Sequence, residues 1–225
     1  MLNEFHYADK ENPLNYILFY PETTELSELP LLIYLHGAGE RGGEISHLFR
    51  HGVPKMIEKG VEYPAVVLCP QCPCEFVWNN IVVQLKALID LVAKRFNTKP
   101  DRICITGSSM GGFGTWEMGL TYPNFFSAIG PVAGGGLSWR CSNLVSTPVY
   151  AIHGDADTAV PPIYSELMVN AVNGSGGAAK YKVLENFGHN DGINEAYENT
   201  DLTEWLLAQR RSDFSEIAEC CSNCF

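Results

Sequence analysis

Seven short apolar runs punctuate the chain, and each ends in a turn rich in glycine or polar residues. They lie at Tyr16 to Tyr20, Leu31 to Leu35, Ala65 to Cys69, Ile103 to Thr106, Ala128 to Val132, Val149 to His153 and Tyr181 to Leu184. Most are continuous rather than alternating, the pattern of strands buried on both faces. Helical patterns fall between the later runs. Ile81 to Phe96 repeats its apolar residues at helical spacing, and Gly111 to Tyr122 can form a helix stopped by Pro123. Pro162 to Val172 opens on a proline suited to a first turn, and Glu195 to Arg211 ends in basic residues that suit a helix C-terminus. Strand and helix in alternation predict an α/β fold: a mostly parallel central sheet flanked by helices on both faces.

No composition break divides the 225 residues, so residues 1–211 read as one domain. The stretch Asn173 to Ala179 (NGSGGAA) reads as a loop, and residues 212–225 as a cysteine-rich tail of no legible role. The formal charge of −11 disfavours nucleic acid as a partner. No apolar stretch is long enough to span a membrane. The first residues, MLNEFHYADKENP, lack a basic region followed by an apolar run, which predicts a cytoplasmic location. Eight cysteines include two clusters, Cys69, Cys72 and Cys74, and Cys220, Cys221 and Cys224. Their spacing lacks the paired CxxC of a zinc site, so reduced thiols, no metal and no cofactor are expected.

In open parallel sheets, chemistry gathers at the C-terminal ends of strands. There the segment TGSSMGG, Thr106 to Gly112, follows one predicted strand and opens a predicted helix. Gly107, Ser109 and Gly111 fit G-x-S-x-G, whose glycines relieve crowding around a sharply turned, exposed serine. Ser109 is the candidate nucleophile. It needs a base, and the base an orienting acid. His189, after the last strand, is the expected base. Asp155 and Asp157 both lie in the loop after Val149 to His153. Asp155 sits in the turn itself, so Asp157 is favoured as the acid; Asp191 is too close to His189 in sequence. Two backbone N–H groups, from Met110 and Ala38, are expected to form an oxyanion hole. His36 reads as a brace for the loop after Leu35, and His153-Gly154 repeats that pattern. Trp78, Phe113 and Trp139 are expected to line an aromatic substrate cleft.

Together these segments resemble the α/β-hydrolase superfamily, and within it small bacterial carboxylesterases grouped as predicted peptidases or phospholipase/carboxylesterase-like proteins. The resemblance rests on YLHGAGERGG (Tyr34 to Gly43), CPQCPC followed by Trp78, DRICITGSSMGGFGTW (Asp101 to Trp116), HGDADTAVP (His153 to Pro161) and FGHND (Phe187 to Asp191). It spans nearly the whole chain. It implies a Ser109–His189–Asp157 triad, and it makes CPQCPC a family loop rather than a zinc site. The expected activity is hydrolysis of short-chain or small aromatic acyl esters through an acyl-enzyme, with a small-molecule ester as partner. The alternatives are an acetyl xylan or feruloyl esterase, a thioesterase or a small peptidase of the same fold. A complete triad speaks against a non-catalytic binding protein. The sequence gives no reading of oligomeric state.

Overall fold

The computed structural model describes residues 1–211, apart from 11–12, 23–25 and 27–28. The expected tail at 212–225, with Cys220, Cys221 and Cys224, lies outside the described residues. Eight strands form one sheet: β1 (Leu2–His6), β2 (Asn15–Tyr20), β3 (Leu31–Leu35), β4 (Val66–Gln71), β5 (Ile103–Ser108), β6 (Ala128–Val132), β7 (Val149–Gly154) and β8 (Ala179–Leu184). Their order across the sheet is β1-β2-β4-β3-β5-β6-β7-β8. Only β1 and β2 run antiparallel to their neighbours; from β4 to β8 every pairing is parallel.

The continuous apolar runs are explained by two cores, one on each side of the sheet. Side chains alternate along a strand. In β3, Leu31, Ile33 and Leu35 enter one core, while Leu32 and Tyr34 enter the other. The first core is covered by α2 (Val82–Phe96), α3 (Met110–Thr121) and α4 (Ile163–Gly174), through Leu85, Trp116 and Met168 among others. The second is covered by α1 (Gly52–Glu58), α5 (His189–Glu198) and α6 (Leu202–Ala208), through Val53, Ile193 and Leu206. The fold is therefore the expected one, with a mostly parallel sheet between two helical layers.

Three features depart from the sequence reading. β1 carries no continuous apolar run, because it is an edge strand whose residues are mostly exposed. The single helix expected from Glu195 to Arg211 is two helices. Its first turn begins earlier, at His189, and the polar stretch Asn199-Thr200-Asp201 breaks it. The loop expected at Asn173 to Ala179 is shorter, since α4 runs to Gly174 and β8 starts at Ala179.

Candidate active site

Ser109 stands alone between β5 and α3 with φ 55° and ψ −118°, a backbone state that L-residues rarely adopt. Such a conformation costs on the order of 1–3 kcal/mol and persists only where its surroundings enforce it. Here they do. The Ser109 N–H donates to the Val132 carbonyl at 3.0 Å, and the Phe113 N–H donates to the Ser109 carbonyl at 3.0 Å. The flanking glycines are required by close backbone approach. A Cβ on Gly111 would lie 1.9 Å from the Leu35 carbonyl oxygen, and one on Gly107 would lie 2.5 Å from that of Gly111. The strand-to-helix turn thus works only with glycine on both sides of the serine. Ser108 points the other way, with its Oγ 3.1 Å from the buried Tyr34 hydroxyl.

Two further loops converge on this hydroxyl. Ser109 Oγ lies 2.9 Å from His189 Nε2, at the first residue of α5. His189 Nδ1 lies 2.6 Å from Asp157 Oδ2, in the loop after β7. A carboxylate can only accept, so Nδ1 carries the proton and Nε2 is left free to take one from Ser109. Asp157 is buried, and its other oxygen accepts the N–H groups of Ala159 (2.9 Å) and Val160 (2.8 Å). Burial alone would raise its pKa; the bond from His189 and these two N–H groups overcome that and hold the carboxyl below its usual range. Asp155 is exposed, and it accepts the Asn186 N–H at 2.6 Å rather than meeting the histidine. Asp191 accepts the Gly188 N–H at 3.1 Å.

The loop after β3 carries Ala38 and packs beside the serine. A Cβ on Gly37 would stand 3.6 Å from Ser109 Cβ. The loop is held from several sides. The Cys72 N–H donates to His36 Nε2 at 2.9 Å, so His36 is the Nδ1–H tautomer and donates to the Gly37 carbonyl at 2.6 Å. Arg41 donates to the Ala38 carbonyl at 3.2 Å and Arg50 to the Gly39 carbonyl at 2.9 Å. The buried Glu40 carboxyl accepts backbone N–H groups of residues 37 and 40; burial nevertheless raises its pKa. Met110, the first residue of α3, completes the surroundings of Ser109.

A cavity of about 330 Å³ opens on this group, with Ser109, His189 and Ala38 on one side and Glu40, Arg50, His51 and Asn190 on the others. A larger cavity of about 540 Å³, with Tyr63, Tyr197 and Thr203 in its wall, shares no lining residue with it. The expected aromatic cleft is not what surrounds Ser109. Trp78 is fully buried under α3, where its indole N–H donates to the His36 carbonyl at 3.0 Å. Phe113 packs edge-on against Tyr164, with ring centroids 5.7 Å apart, and Trp139 is 78% exposed. None of the three lines the 330 Å³ cavity. Arg50 and His51, just before α1, carried no sequence signal for this cavity, and Asn190 enters it as the neighbour of His189 at the start of α5.

Among the described residues, no group of three or more His, Cys, Asp or Glu side chains is arranged to hold a metal. Cys69 and Cys72 are buried free thiols, and burial pushes Cys72 up to about 12. None of the described helices is long and apolar enough to cross a membrane.

The model of the Esterase family matches residues 11–140, more than half of the chain. A crystal structure described as a thermostable esterase is similar over 93% of this chain and 63% of its own, with 29% identity and a TM-score of 0.76. A mutant feruloyl esterase module from Clostridium thermocellum, complexed with sinapinate, is similar over 88% of this chain and 85% of its own, with 15% identity and a TM-score of 0.67. The poly(3-hydroxyalkanoate) depolymerase C of Paucimonas lemoignei is 26% identical over 95 residues, 42% of this chain and 22% of that protein. The chain thus spans less than two thirds of the length of both the thermostable esterase and the depolymerase. With the eight-stranded sheet and its two helical layers, these matches have one meaning: the chain belongs to the Esterase family of hydrolases with the α/β-hydrolase fold.

Proposed function

We propose that this protein is a serine carboxylesterase that hydrolyses short-chain or small aromatic acyl esters through an acyl-enzyme. The observation that carries this reading is the continuous chain from Ser109 Oγ through His189 to Asp157, at 2.9 and 2.6 Å. Ser109 Oγ attacks the ester carbonyl carbon while its proton passes to His189 Nε2. Asp157 holds the imidazole in the productive tautomer and stabilises the imidazolium that forms. The negative charge on the carbonyl oxygen is met by the N–H groups of Ala38 and Met110, on a loop braced by His36, Arg41 and Arg50 and on the start of α3. As the C–O bond breaks, His189 returns the proton to the leaving alcohol. A water molecule then gives its proton to His189, attacks the acyl-serine and releases the acid.

The cavity supports a small substrate. About 330 Å³ sits at the low end of ligand pockets, and Glu40, Arg50, His51 and Asn190 in its wall leave a long alkyl chain little to bury against. A series of p-nitrophenyl esters tests this reading. Activity should peak at acyl chains of about two to six carbons, and the reading fails if laurate and longer esters are preferred.

A further inference from the structure

The Asp157 carboxylate serves two histidines, and the mechanism above uses only one. His153, the penultimate residue of β7, is buried, with its Nε2 2.8 Å from the Val160 carbonyl. A carbonyl can only accept, so Nε2 carries a proton. The same N–H lies 3.3 Å from Asp157 Oδ2, the oxygen that also receives His189 Nδ1–H. The other ring nitrogen, Nδ1, is 2.7 Å from the Ser165 hydroxyl of α4, which also lies 2.7 Å from the Gly134 carbonyl. The ring is therefore gripped at both ends, by the acid loop and by α4.

We propose that His153 is a positioning residue that shares the Asp157 oxygen orienting His189, and thereby tunes how readily His189 takes the proton from Ser109. The proposal rests on the triad reading above. Three N–H groups bond the two oxygens of Asp157, and the His153 N–H, bonded to the Val160 carbonyl, lies 3.3 Å from Oδ2 as a fourth, weaker neighbour. Each donor withdraws part of the charge that would otherwise stabilise a protonated His189. Removing the His153 donor leaves more of that charge to His189, which then holds its proton to higher pH.

The other groups facing this pair act differently. Among the described residues, the charged groups that act on His153 are Asp157 and, behind it, His189, and α4 offers it the Ser165 hydroxyl. Burial holds His153 below the usual imidazole range, against the pull of the Val160 carbonyl and the Asp157 carboxylate. His189 faces Glu40, Arg50 and His51 across the cavity, and Asp191 on its own helix is held by the Gly188 N–H. None of these four is altered by a change at residue 153.

The test compares two amide substitutions. His153→Gln can keep a donor near the Nε2 position; His153→Asn places its amide near Nδ1, within reach of Ser165 only. In kcat/KM for p-nitrophenyl acetate against pH, the acidic limb of His153→Asn should move up by about half a pH unit or more. His153→Gln should stay close to the parent. A folded His153→Asn with an unmoved limb, or one moved down, overturns the proposal. If that variant does not fold, spectra of the unaltered protein labelled with ¹⁵N-histidine decide. They should show His153 Nε2 protonated across roughly pH 5 to 9. An Nε2 without its proton at neutral pH overturns the shared oxygen. The triad reading fails separately: turnover by Ser109→Ala would sink it, and the ¹⁵N result does not depend on it.

Discussion

The Trp78 indole donates its N–H to the His36 carbonyl at 3.0 Å, and the two rings meet edge to face with centroids 5.0 Å apart. A tryptophan that the sequence offers as a substrate wall is in fact a clamp on the loop carrying Ala38. Trp78→Phe keeps most of the volume and removes the donor, leaving the buried carbonyl without it. The loss should be about 1–3 kcal/mol in denaturant unfolding. Because Trp78 is fully buried and outside the cavity lining, kcat should fall while KM moves little. A large rise in KM with kcat intact would return Trp78 to the substrate.

The turn around Ser109 should tolerate no side chain at Gly111. Its Cβ would stand 1.9 Å from the Leu35 carbonyl oxygen and 2.8 Å from that of His36, both of them backbone atoms that cannot swing aside. Gly111→Ala should therefore cost more than about 4 kcal/mol or leave no soluble protein. Gly39→Ala is the control, since a Cβ there meets nothing within 4 Å. Equal melting temperatures for the two variants would contradict the packing described at the turn.

His36 makes a pH prediction. Burial lowers its pKa from the usual 6.5 to about 4; Arg41 adds to the effect, and the bond to the Gly37 carbonyl opposes it. The folded protein therefore keeps the ring neutral where the unfolded chain would protonate it. The resulting stability is full above the unfolded value of 6.5 and is lost as pH falls towards the folded value of about 4. At about 1.4 kcal/mol per pH unit, the loss is on the order of 3 kcal/mol across that window. Denaturant unfolding at a series of pH values should show this slope, and His36→Gln should flatten it. A slope unchanged by the substitution would mean that other groups carry it.

The two aspartates of one loop should behave unlike each other. Asp157→Asn offers His189 an amide in place of a carboxylate and should lower kcat by roughly 10⁴. Asp155 is exposed and accepts the Asn186 N–H, so Asp155→Asn should change kcat by less than about tenfold. The reverse ranking would move the orienting acid to Asp155.

Much of this molecule is legible in its sequence because its signals are local. A central strand such as β3 is buried on both faces, so it reads as an unbroken apolar run. The turn at Ser109 reads from its glycines because any side chain at Gly107 or Gly111 meets backbone, so the requirement is written at those two positions even where the backbone met is the distant Leu35. β1 escaped because an exposed edge strand needs no apolar run. The cavity wall escaped for a different reason. Arg50 and His51 line the same cavity as Ser109 through tertiary packing, which no spacing rule records. The aromatic residues misled because size and apolarity suit a core as well as a cleft, and Trp78 went to the core.

The central claim is that Ser109 is the nucleophile. It is tested most directly by titrating the protein with a fluorophosphonate and locating the adduct by mass spectrometry. One equivalent should attach to Ser109, with ester hydrolysis falling in proportion, while Ser109→Ala should take up none and lose activity on the order of a millionfold. An adduct on another residue, or a Ser109→Ala variant that still turns over p-nitrophenyl acetate, would contradict the account.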